Sequence, residues 1–388
     1  MPHPAIDTLL QNAVTSGAVP GVVALAGNAS GILYQGAFGT ADRATQAPMT
    51  ADSVVWFASM TKAVTSAAAM QLVEQGRLAL DGSIAAYLPG FAAPQVLQGF
   101  GPDGAPQFRP ARGPITLRQL LTHTAGFGYD TWNAEILPAM TALGLPRVPQ
   151  TAAQHAQTPL LTDPGTRWNY SIATDLVGQC VAAASGQPFA AYVQDHILTP
   201  LGMADCAFVM TPDMAARKAR VHARQADGSL VPMDLETGTP RTFTGGGGGL
   251  HGTARDYFRF LQMLLNHGSL DGAQLLRPET VAEMARNQIG DLTVQPLRSV
   301  QPARSNDAEF FPGMVQKWGL GFLINTARSP SGRSPGGLCW AGLGNTYYWL
   351  DPTRGIAGIL LTQILPFADP RVLDLLWAFE RAVYDTFD

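Results

Sequence analysis

A chain of 388 residues exceeds what one hydrophobic core usually organises, so one large domain with an insertion, or two domains, is expected. With 46% hydrophobic and 14% charged residues and a net charge of -4, it reads as a well-packed globular protein without a basic field for nucleic acid or anionic lipid. Its three cysteines, Cys180, Cys206 and Cys339, lie far apart with no C-x-x-C pair, which argues against a disulfide framework or a thiolate metal site.

In chain order, Met1 to Asp7 lack a basic stretch leading into an apolar run and a cleavage site, and no run of 18 apolar residues follows anywhere. A cytoplasmic protein with no membrane span is the expectation. A first helix precedes two β-rich runs, Gly21 to Gly27 and Ile32 to Phe38, and the Asn, Ser and Gly between them signal a hairpin. From Met60 the spacing of Ala63, Ala67, Met70, Leu72 and Val73 predicts a helix that stops at Gly76.

Pro- and Gly-rich segments at 87–115 and 144–170 surround a short helical stretch, Thr116 to Leu121. Helices are predicted at 172–184, ended by Gly186, and at 188–198, opened by a proline. After the glycine run 245–249, Thr253 and Asp256 resemble a capping box that opens a helix reaching Leu265. Strand patterns return at Trp318 to Ile324, Asn345 to Leu350 and Ile356 to Ile364, and an amphipathic helix from Val372 to Tyr384 closes the chain. The fold class expected is α+β: one antiparallel sheet built from both termini (residues 1–85 plus 200–388), a mainly helical insertion (86–199), and an active site at their interface.

Several motifs compete for the chemistry. Gly332-Arg333-Ser334-Pro335-Gly336 matches the G-x-S-x-G elbow, but that motif uses the N–H of the residue after the serine, and Pro335 has none. Gly247, Gly249 and Gly252 satisfy G-x-G-x-x-G without a preceding strand or a βαβ unit, so close backbone packing near a site is the better reading. The seven histidines show no zinc-ligand spacing, and no metal or other cofactor is expected. His123, between Thr122 and Thr124 at the start of a turn, reads as a hydrogen-bonded structural residue.

Ser59 and Lys62, in Phe57-Ala58-Ser59-Met60-Thr61-Lys62, stand three apart at a helix start, where side chains share a face with Cβ atoms about 5–6 Å apart. Free N–H groups and the positive end of the helix dipole favour an oxyanion there. A lysine is a base only when neutral, and the absence of other charges from Ala58 to Leu72 is compatible with poor solvation of Lys62. By itself the quartet more often describes a surface lysine near a helix start. Two further segments add to it: Trp168-Asn169-Tyr170, where a phenol can project from a loop, and Trp340-Ala341-Gly342-Leu343, small residues on an expected edge strand that can offer a backbone N–H.

In this order and at these separations the three segments resemble the serine β-lactamase and penicillin-binding-protein superfamily, most nearly class C β-lactamases and family VIII carboxylesterases. Leu120 to Gly126, Asp163-Pro164-Gly165, Pro200 to Met203 and Gly246 to Asp256 share the likeness, which covers about residues 10 to 385. It implies a β-lactamase-like fold, Ser59 as the acylated nucleophile, Lys62 and Tyr170 as base and proton relay, and an oxyanion hole from the N–H groups of Ser59 and Leu343. His123 matches a position that is not catalytic in the family.

Two departures bear on substrate. Trp340-Ala341-Gly342 replaces the lactamases' Lys-Thr/Ser-Gly, removing the cation that holds an anionic substrate, and Ile172 replaces an Asn that binds a substrate amide. Both favour a neutral, more apolar acyl substrate, with Phe127, Tyr129, Trp132 and Trp168 as candidate aromatic walls that could equally be core. The function expected is a serine carboxylesterase acting on neutral, short-acyl esters through a Ser acyl-enzyme with a Lys/Tyr base pair, with acyltransferase, weak β-lactamase or D-amino peptidase activity as alternatives on the same scaffold. A non-catalytic binding protein is the alternative from another class. The sequence leaves the oligomeric state open.

Overall fold

Both ends of the chain feed one antiparallel sheet. The structure is a computed structural model that describes residues 3–238 and 243–387. The strands of this sheet are β1 (Gly21–Asn28), β2 (Gly31–Asp42), β3 (Ala47–Pro48), β4 (Gln316–Trp318), β5 (Leu323–Asn325), β6 (Leu338–Gly342), β7 (Thr346–Asp351) and β8 (Ile356–Leu361), in the order β4-β5-β6-β7-β8-β1-β2-β3. The two halves meet at β8 and β1, where Val23 pairs with Leu361 and Leu25 with Ile359. The Asn28 side chain turns the first hairpin by accepting from the Ser30 N–H at 2.9 Å.

The helices that matter for the site are α1 (Pro4–Thr15), α2 (Thr61–Glu74), α3 (Leu117–Leu121), α4 (Ala173–Ser185), α5 (Phe189–Val193), α6 (Ala254–Leu265) and α7 (Pro370–Phe387). Side chains alternate across a strand, so Trp349 meets Phe379 of α7 on one face of β7 while Tyr348 meets Tyr257 of α6 on the other. The apolar spacing Val372, Leu375, Leu376, Phe379, Val383 gives α7 its buried stripe, and α1 lies against it. Every residue of α2 from Thr61 to Leu72 is buried, with α4 and α5 packed against it. No helix of the described residues is long and apolar enough to cross a membrane.

Three strand expectations need correction. The run Trp318 to Ile324 is not one strand: β4 ends at Trp318 and β5 begins at Leu323, joined by a tight turn through Gly321 at φ 99°. A side chain there would also strike the Ser66 hydroxyl, 2.3 Å from an added Cβ. The run Ile356 to Ile364 likewise breaks, with β8 ending at Leu361 and Ile364–Leu365 leaving to pair in parallel with His222–Arg224. Finally, β6 is interior, not an edge. Its partner β5 is so short that it pairs only with Leu338 and Cys339, which leaves Trp340 to Gly342 with β7 as their one strand neighbour.

Candidate active site

The nucleophile sits on a bend that its surroundings impose. Trp56 exchanges hydrogen bonds with the Gln363 amide, Phe57 donates its N–H to Leu250 O at 3.0 Å, and Phe57 O accepts from the Thr346 hydroxyl at 3.2 Å. With the incoming strand held from several sides, Ala58 takes a positive φ of 47°, a costly conformation for a residue with a Cβ. The chain then turns through one 3-10 turn, Ala58–Met60, directly into α2. Ser59 is thereby half-exposed between two buried neighbours, at the end of a helix whose first N–H groups lack helical partners.

Lys62 lies one turn on and is 1% exposed. Its Nζ is 3.1 Å from Ser59 Oγ, 3.2 Å from the Tyr129 hydroxyl and 2.7 Å from Gly247 O. The glycine run explains itself here. Gly247 donates its N–H to Asp175 Oδ1 at 2.8 Å, Gly246 O accepts from Thr65 Oγ1 at 2.7 Å, and Gly248 O accepts from Trp56 Nε1 at 2.7 Å. A Cβ on Gly246 would meet Thr174 O at 2.7 Å, so bare backbone is required to bring a carbonyl onto the lysine.

Tyr170, 3% exposed, turns its ring toward Lys62, whose Nζ is 4.8 Å from the ring centroid. The phenol oxygen accepts from the Trp340 indole Nε1–H at 3.1 Å. His123 backs the tyrosine: its ring is 4.8 Å from that of Tyr170, and its carbonyl accepts from the Asn169 N–H at 2.8 Å. Burial, with the charge of Lys62 adding to it, holds the His123 imidazole well below its ordinary value, so it is neutral and structural. Rings of Tyr129, Trp132 and Phe310 complete the wall, at 5.3, 5.4 and 5.3 Å from Tyr170, Tyr170 and Trp340 respectively.

Ser59, Lys62, Tyr170 and Trp340 therefore converge, with Ala341 and Gly342 running beside the nucleophile turn. An added Cβ on Gly342 would lie 2.1 Å from Phe57 O. Leu343 follows β6 and Ile172 caps α4, both half-exposed. Phe127 and Trp168 are 1% and 2% exposed and fill the core instead, Phe127 against Phe91 and Trp168 against Trp318. Reading the sequence missed Phe310 and the contact of Tyr129 with Lys62; neither has a local signal, since both depend on distant loops folding back. Ser334 is remote in role, its N–H bound to Asp351 Oδ2 at 2.8 Å in a buried loop. Among the described residues, no group of three or more His, Cys, Asp or Glu side chains is placed to hold a metal ion.

Comparison with known proteins identifies the family. A family model described as Beta-lactamase matches residues 6–382. Monacolin J acid methylbutanoyltransferase of Aspergillus terreus is 32% identical, across 98% of this chain and 95% of its own. Esterase EstB of Burkholderia gladioli is 30% identical, across 92% and 89%. The solved structure of unliganded simvastatin synthase (LovD) from Aspergillus terreus superposes with a TM-score of 0.85 at 30% identity, across 99% of this chain and 98% of that one. With the family model matched over nearly its whole length, and with an esterase and an acyltransferase among its relatives, the chain belongs to the Beta-lactamase family.

Proposed function

We propose that the protein carries a neutral acyl group as an ester of Ser59 and delivers it to a hydroxyl acceptor, with water as the competing acceptor. Acyl transfer and ester hydrolysis are then two exits from one intermediate. The sequence alone puts hydrolysis first; relatives that include a methylbutanoyltransferase as well as an esterase move the weight to transfer.

The observation that carries this reading is Trp340 against the Tyr170 phenol. Its indole N–H is engaged by Tyr170, so the position where a lactamase presents a cation presents an apolar ring, in a wall of Tyr129, Trp132 and Phe310. Such a wall suits a neutral acyl chain and an organic alcohol better than a carboxylate.

In the proposed cycle Ser59 Oγ attacks the acyl carbonyl as its proton passes to the Lys62 amine. The oxyanion gathers charge near the N–H groups of Ser59 and Leu343. The leaving oxygen takes a proton from the Tyr170 phenol, which recovers one from Lys62. The acceptor alcohol then attacks the acyl-enzyme, giving its proton to Lys62, and the Ser59 oxygen is reprotonated on release.

The test is a partition experiment with a p-nitrophenyl alkanoate donor and a graded series of alcohols, products being separated by mass spectrometry. Ester product rising with alcohol at constant nitrophenol release supports transfer. Free acid alone at every alcohol concentration makes the protein a hydrolase, and no nitrophenol release favours a binding protein.

A further inference from the structure

The Lys62 nitrogen has three polar neighbours, and their chemistry is unequal. Gly247 O accepts and cannot donate. The Tyr129 hydroxyl can accept while its own proton points elsewhere. Ser59 Oγ must give up a proton if it is to attack. A neutral amine has two N–H bonds and one lone pair around its nitrogen. If Gly247 O and Tyr129 take the two N–H bonds, the lone pair is left facing Ser59.

We propose that Tyr129 is the positioning residue that aims the Lys62 lone pair at Ser59, leaving Tyr170 to serve the departing oxygen. This rests on the reading of Ser59 as an acylated nucleophile and assigns the two phenols separate tasks. Tyr129 touches the base rather than the reacting atoms, whereas Tyr170, its oxygen already accepting from Trp340, keeps its own proton available.

The surroundings fit a fixed, uncharged acceptor. Burial raises the Tyr129 phenol well above its ordinary value, with Tyr170, Asp175 and Asp130 acting in the same direction and Arg304 opposing. The residue is anchored through its carbonyl, which accepts from the Trp132 N–H at 3.1 Å and from Asn133 Nδ2 at 2.9 Å. Next to it, Asp130 holds Arg147 Nε at 2.6 Å, and its carbonyl accepts from Gln301 Nε2 at 3.0 Å. Trp132, whose ring lies 5.8 Å from that of Tyr129, donates from Nε1 to Ser305 Oγ at 3.2 Å. Two loops distant in sequence therefore hold one hydroxyl against the lysine.

Tyr129→Phe keeps the ring and removes the oxygen. The full-length variant is compared with wild type by pre-steady-state nitrophenol bursts across pH, by KM and by thermal melting. The expected result is an acylation rate lower by about 10-fold to 100-fold, as for a catalytic group left misaimed, with KM within about 2-fold. The loss should fall on the acylation rate at every pH measured, with the melting temperature unchanged, because the phenyl ring and its packing are kept. The groups that share this field are Ser59, Tyr170, Gly247 and His123 around Lys62, and Asp130, Asp175 and Arg304 around Tyr129. An acylation rate equal to wild type, or a loss accompanied by a raised KM or a lower melting temperature, overturns the proposal. Ser59→Ala measured alongside separates the two readings: if it still acylates, the proposed function fails whatever Tyr129 does.

Discussion

The Trp340 indole N–H and the Tyr170 phenol oxygen are joined by a hydrogen bond of 3.1 Å between two buried side chains, 3% exposed each. This bond fixes which side of the phenol oxygen remains available to a substrate. Trp340→Phe keeps an apolar ring but deletes the donor. A net hydrogen bond of about 1 kcal/mol corresponds to about a 5-fold loss in kcat/KM for a neutral nitrophenyl ester. Steady-state kinetics checks it; an unchanged kcat/KM would separate Trp340 from the positioning of Tyr170.

The Gly342 position faces the nucleophile turn. An added methyl would lie 2.1 Å from Phe57 O and 2.2 Å from Thr346 Oγ1, so Gly342→Ala forces β6 and the turn apart. We expect destabilisation of about 1–3 kcal/mol from overpacking and a loss of activity of about 100-fold from displacement of Ser59. Denaturant melts and ester kinetics on the same preparation measure the two effects.

The G-x-S-x-G serine gives the opposite expectation. Beside Ser334, Arg333 forms a bidentate pair with Glu380 at 2.8 and 2.9 Å, the two being 4% and 0% exposed by side chain. Ser334→Ala should keep ester turnover within about 2-fold of wild type, as substitutions away from special features do. Glu380→Gln leaves a buried guanidinium without its counter-charge and should cost about 3–5 kcal/mol of stability. Urea titration of both variants separates these outcomes.

Asp163 ties the 95–110 hairpin to the loop that carries Tyr170. It accepts from both terminal nitrogens of Arg109 at 2.8 Å and from the Arg112 N–H at 2.8 Å. These bonds, the Arg109 side chain first, lower its carboxyl from the ordinary 3.8 to about 2. A depressed folded-state value means the contribution to stability is present above 3.8 and is lost as pH falls from there through about 2. Melting temperatures of wild type and Asp163→Asn measured from pH 6 down to 2 should converge at the acid end; parallel curves throughout would contradict the assignment.

What the sequence made legible was local. Ser59 and Lys62 stand three apart at a helix start behind an apolar run, a pattern that points to a site only together with the Tyr170 and Trp340 segments, and the helices that bound the site follow from their caps, Gly186 at φ 70° and Thr253 among them. The sheet from both termini was readable because β1 and β8 are unbroken apolar runs. What stayed hidden depends on tertiary contact. Tyr129 reaches Lys62 across 67 positions of sequence, and Phe310 joins the wall only because its loop folds onto Trp340. Phe127 and Trp168 are indistinguishable by residue type from pocket-lining aromatics; their ring contacts with Phe91 and Trp318 in the folded chain place them in the core. The apparent strand at 318–324 hid a break because an apolar run does not reveal a turn built on one glycine with positive φ.

The central claim is that an acyl group resides on Ser59, held beside Lys62 at 3.1 Å. Rapid quenching of the protein with a neutral nitrophenyl ester, followed by proteolysis and mass spectrometry, tests it most directly. The predicted result is one acyl increment on the peptide containing Ser59, absent in Ser59→Ala and greatly slowed in Lys62→Met. An acyl increment on the Ser334 peptide, or turnover with Ser59→Ala at the wild-type rate, would contradict it.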